Sequence, residues 1–88
     1  MKLKEFAWDE NNIAHIARHH VDPKEAEEAC FIKPFIQRTR GHKRYFVLGQ
    51  SDNGRYLAIV IDYQDDLKVK VVTVRDMTEA ERKRYQRS

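Results

Sequence analysis

The chain has 88 residues, which allows one modest core and a single domain over residues 1–88 and excludes a large substrate-enclosing cavity. Its hydrophobic fraction of 41% beside 35% charged residues fits a globular fold, and no apolar run approaches the roughly 20 residues that cross a bilayer. The opening MKLKEFAWDE carries no apolar secretory core, so a cytoplasmic location without membrane association is expected, and the single Cys30 cannot close an internal disulfide.

In chain order, Asp9 is placed to cap a first helix running from about Glu10 to His19, with Ile13, Ile16 and Ala17 at helical spacing. In VDPKEAEEACF, Asp22 as N-cap, Pro23 at the first helical position and Glu25 three after the cap announce a second helix with Ala26, Ala29 and Cys30 on its narrow apolar face. From Phe35 the hydrophobic period changes to two. Strands are expected at Phe35–Arg38, Arg44–Gln50, Arg55–Tyr63 and Leu67–Arg75, joined by the short polar turns TRGHK, SDNG and QDD. Thr78 and Glu81 then form a capping box that opens a charged final helix. The expected class is α+β: two N-terminal helices, a four-stranded antiparallel sheet and a C-terminal helix.

Histidines at 15, 19 and 20 crowd the end of the first helix. At about 100° per residue His15 and His19 share a face, a spacing that can chelate a metal, but no second His/Cys cluster supplies further ligands, so no metal is expected. His20 stands where the helix must stop before Asp22 and Pro23, and its expected role is a terminator in the left-handed conformation. His19 is read either as a surface histidine or as a proton carrier.

Net charge is +3, unevenly placed. Residues 1–30 hold four Lys/Arg against seven Asp/Glu, and residues 31–88 hold thirteen against seven. Lys33, Arg38, Arg40, Lys43 and Arg44 follow one another without an acid between Glu28 and Asp52. Such a block attracts phosphate backbones or an acidic protein, unless it is a solvated basic loop. Arg44, Arg55 and Arg75 sit at strand ends, where guanidinium donors would suit a phosphate and its transition state, although Arg75 has Asp76 beside it as an alternative partner. The inventory is compatible with metal-independent RNA cleavage by 2′-hydroxyl attack and needs no cofactor.

FAWDENNIAHIARHHVDPKEAEEACF, then RYFVLGQSDNGRYLAIVI, then VVTVRDMTEAERKRY together resemble the BrnT family of bacterial toxins over nearly the whole chain. The opening Phe6, Trp8, Asp9 and Asn12 and the closing Arg75, Thr78, Glu81, Arg82 and Tyr85 carry the resemblance. It implies a RelE-like fold, ribonuclease activity in a type II toxin–antitoxin system, and a ribbon-helix-helix (BrnA-like) antitoxin through which operator DNA is bound. It also places His19, Arg44, Arg55 and Arg75 on family positions, with His20 where the family generally has glycine. The expected site is therefore Arg75 and Arg55 on the phosphate, His19 or Tyr63 handling the proton, and Lys33, Arg38, Arg40, Lys43 and Arg44 guiding RNA. The alternative is a basic module that docks an antitoxin or nucleic acid without turnover.

Overall fold

The computed structural model describes residues 5–39, 43–63 and 68–87. Its elements are β1 (Glu5–Phe6), α1 (Glu10–Ala17), α2 (Pro23–Phe31), β2 (Phe35–Arg38), β3 (Arg44–Gln50), β4 (Tyr56–Tyr63), β5 (Lys68–Asp76) and α3 (Glu79–Arg87). All three expected caps are present. Asp9 accepts from the Asn12 amide at 2.9 Å, Asp22 from that of Glu25 at 2.9 Å and Thr78 Oγ1 from that of Glu81 at 3.2 Å, each box closed by a return bond from the third helical residue. His20 adopts φ 58° beyond α1, the left-handed terminator expected of it.

The sheet corrects the expected architecture. Among the described residues it has five strands in the order β1-β5-β4-β3-β2, and β1 pairs with β5 in parallel, so the sheet is mixed rather than four-stranded and antiparallel. The physical reason is length: a two-residue strand carries no period-two signal, and its partners, Lys68 and Val69, lie far along the chain. The other three pairings are antiparallel, with an irregularity of register at Val60/Ile61.

One face of the sheet carries α1 and α2. Val47, Leu57, Ile59, Ile61, Val69, Val71 and Val74 are buried there against Ile16, Ala26, Ala29 and Cys30. Helix α2 lies so close that a Cβ on Gly49 would stand 1.9 Å from the Ala29 carbonyl oxygen, which explains the small residues on its inner face. Helix α1 differs from expectation: it buries Asn12 and Ile16, while Ile13 is 40% exposed. The cause is the edge of β5. Beyond the short β1 no described strand pairs with that edge, and Asn12 Nδ2 donates to the Val71 carbonyl at 3.4 Å, so a polar side chain continues what a backbone strand would have done.

Candidate active site

The opposite sheet face carries a cluster of charged and aromatic side chains. Register places Phe35, Leu48, Ala58 and Arg75 in one row across β2, β3, β4 and β5. Helix α3 crosses this row, and none of its described residues is buried; it is held by polar and aromatic contacts instead. Arg75 grips Glu81 with two bonds of 2.6 and 2.9 Å, Arg82 lies over the Tyr56 ring at 4.3 Å, Tyr85 meets Tyr56 edge-on at 6.0 Å, and Arg84 lies 5.2 Å from the Phe35 ring centroid. The Tyr85 hydroxyl donates to the Lys33 carbonyl at 3.1 Å.

Tyr56 has the distinctive electrostatics of this cluster. Its hydroxyl receives a hydrogen bond from Gln86 Nε2 at 3.4 Å, and that bond, with the guanidinium of Arg82, holds the phenol below its ordinary pKa against the opposing effect of burial. Tyr85 shifts the other way, raised by burial and by Tyr56. The Arg75 bridge and the Thr78 amide depress Glu81 to about 2. One face therefore presents Arg75, Arg82 and Arg84, a tyrosine whose phenol is held below its ordinary pKa, and a carboxylate ionised at neutral pH.

Arg55 is on the other side of the same sheet end. Its Nε and Nη2 fork onto Asp76 at 2.8 and 3.3 Å, Nη2 also reaches the His19 carbonyl at 2.9 Å, Nη1 bonds the His20 carbonyl, and Glu25 stands 3.6 Å away. The guanidinium thus satisfies carbonyls at the end of α1 and joins α1, α2 and β5. Asp76 is held below the usual carboxylate range by the hydrogen bond from Arg55, with the charges of Arg55, His19 and His20 acting in the same direction.

The structure brings together His19, Arg55 and Asp76, but not the other expected partners. Tyr63 lies at the far end of β4, roughly 17 Å along the strand from Ala58, edge-on to Tyr45 at 5.4 Å, with its phenol raised by burial and by Tyr45. The basic block, continuous in sequence, is dispersed in space. Lys33 borders α3, Arg38 falls in the Tyr45–Ile61 row that faces the helices, Lys43 is exposed before β3, and Arg44 forks onto Asp62 at 2.7 and 2.9 Å. Arg40 lies outside the described residues. His15 and His19 meet edge-on at 6.3 Å, and His15 Nε2 lies 3.2 Å from Thr73 Oγ1. Among the described residues no group of three or more His, Cys, Asp or Glu is arranged to hold a metal, and no helix is long and apolar enough to cross a membrane. Burial lifts the Cys30 thiol to about 12, which suits packing rather than nucleophilic attack.

Tyr56, Arg82 and Gln86 were not among the expected site residues. Their signal was present as Arg82 and Tyr85, three apart on a helix with almost no apolar face: such a helix must dock through its charges and rings, and Tyr56 opens the strand that receives it.

Fold and site together define an α+β domain with arginines and tyrosines clustered on the sheet face that α3 crosses. The chain belongs to the BrnT family, described as the ribonuclease toxin, BrnT, of type II toxin–antitoxin systems; the family model matches residues 8–81. No curated protein matches the chain.

Proposed function

We propose that this ribonuclease toxin cleaves RNA without a metal on the face covered in part by α3. Arg75 and Arg82 hold the scissile phosphate and stabilise the charge that develops on it, and Tyr56 takes the proton of the attacking 2′-hydroxyl. The 2′-oxygen forms a bond to phosphorus as the bond to the 5′-oxygen breaks, and the leaving oxygen takes a proton from water, giving a 2′,3′-cyclic phosphate and a 5′-hydroxyl. In this reading Arg82 fills the second arginine place for which Arg55 was considered, and Tyr56 the proton-transfer place for which His19 and Tyr63 were considered. Lys33, Arg84 and Arg87 guide the backbone along α3. The observation that carries the reading is the Tyr56 phenol, hydrogen-bonded by Gln86 and lying under Arg82, on the face that also bears Arg75.

The toxin acts in the cytoplasm and is neutralised by a ribbon-helix-helix antitoxin, which supplies the contact with operator DNA. The test is incubation of the purified chain with total RNA in excess chelator. Wild type produces cyclic-phosphate ends, while Arg75→Ala and Tyr56→Phe each lose about a hundredfold or more in rate. Activity that chelator abolishes, or a folded Arg75→Ala variant as active as wild type, removes the mechanism.

A further inference from the structure

We propose that a groove of about 340 Å³ beside the part of the sheet that no described element covers is a nucleoside subsite. It would receive a base of the RNA that flanks the cleaved bond, so this inference rests on the placement of the active site given above. The groove lies between α1 and β5, with Asn11 and His15 on one side and Arg44, Asp62 and Lys70 on the other. Its volume falls at the lower end of the ~300–1,000 Å³ typical of small-molecule sites, the scale of a nucleoside rather than of a protein segment.

Register explains why these groups converge. Arg44, Asp62 and Lys70 occupy one row across β3, β4 and β5, and alternation along β4 puts Asp62 on the same face as Ala58, the cross-strand partner of Arg75. The two rows are roughly 13 Å apart along the strand, far enough for the groove to hold a flanking nucleoside rather than the reacting one. Arg44 and Asp62 are locked by two bonds of 2.7 and 2.9 Å. That fork uses only part of the guanidinium's donors and part of the carboxylate's lone pairs. The pair therefore presents donors and acceptors side by side in a fixed arrangement, the complement of a base edge. Thr73 holds His15 at 3.2 Å, and Lys70, which lines the groove in the row of Asp62, supplies a positive charge for the sugar-phosphate. Asp9 also lines the groove, but its carboxylate is turned to the Asn12 amide.

The test titrates the whole chain with the four ribonucleoside 3′-monophosphates, read by amide chemical shifts, and maps cleavage ends in total RNA. One nucleotide is expected to move the amides of Asn11, His15 and Lys70 at concentrations where the others do not. Asp62→Asn should flatten that preference, and the base preference beside the cut, by about tenfold. Asp62 and Arg44 are partly exposed, so the substitution spares the fold; Asn11→Ala, on the exposed side of α1, repeats the test from the opposite wall. Equal responses to all four nucleotides, shifts confined to α3, or a base preference that both variants leave untouched would overturn the subsite. A selective nucleotide response in a chain that cleaves no RNA supports the subsite and overturns the cleavage mechanism instead.

Discussion

Arg55 and Asp76 form a forked pair across the end of the sheet, and the same Asp76 offers its backbone carbonyl to Arg75 Nη1 at 3.1 Å. The residue that ends β5 is thus held by an arginine on each face, one joined to the helices and one to α3. Loss of the helix-side arginine should be felt throughout the fold.

Arg55→Ala is expected to cost about 2–3 kcal/mol, because it leaves the His19 and His20 carbonyls and the Asp76 carboxylate without their donor. For a domain of this size that corresponds to a fall in Tm of roughly 8–24 °C in a circular dichroism melt. Arg55→Lys should recover less than half, since a single ammonium cannot reproduce the fork. A Tm unchanged in the alanine variant would show that solvent replaces the clamp.

Acid should weaken the protein in a defined window. Glu81, at about 2, and Asp76 are both depressed in the folded state, so the unfolded chain binds their protons more readily. Their stabilisation is complete above the unfolded carboxylate range, at about pH 4–4.5, and is lost as pH falls toward 2. Urea denaturation at a series of pH values should show stability falling through that window, with a shallower fall in Glu81→Gln. An equal slope in the variant would remove Glu81 from the acid response.

Gly49→Ala should cost about 3 kcal/mol or more, because the added methyl meets the backbone of α2 rather than a movable side chain. Ala29→Gly should fail to rescue it, since the obstructing atom is a carbonyl oxygen. Rescue, measured as the urea midpoint of the double variant, would mean that α2 can shift.

The pH dependence of cleavage should report Tyr56. If its phenolate accepts the 2′-hydroxyl proton, the rate rises with pH through the folded pKa of Tyr56, which lies below that of an ordinary tyrosine. Gln86→Ala and Arg82→Ala each move that inflection upward, by removing the hydrogen bond and the neighbouring charge respectively. A profile identical to wild type in both variants would assign the proton to another group.

The caps, the four longer strands and the terminator role of His20 were legible in the sequence because each depends on local geometry: Asp, Thr and Glu at fixed offsets, alternation over four or more residues, a helix forced to end before proline. What escaped was non-local. Nothing in Glu5–Phe6 announces a strand until Lys68 and Val69 are beside it, and Asn12 reads as solvent-facing until the bare edge of β5 explains its burial. The same limit applied to the site. Adjacency along the chain grouped Lys33, Arg38, Lys43 and Arg44, whereas strand alternation turns successive residues to opposite faces and divides them. Arg75, Arg82 and Tyr56 come together only through the docking of α3.

The parallel pairing of β1 with β5 makes the earliest strand to be synthesised wait for the last. While the chain is being made, Phe6 has no strand to lie against, and Arg75, on that same last strand, is still missing. Completing the sheet and acquiring the central arginine of the proposed site are a single event late in synthesis, so a product truncated before β5 would lack the strand that pairs with β1 and, with it, the arginine to which the proposed mechanism assigns the phosphate.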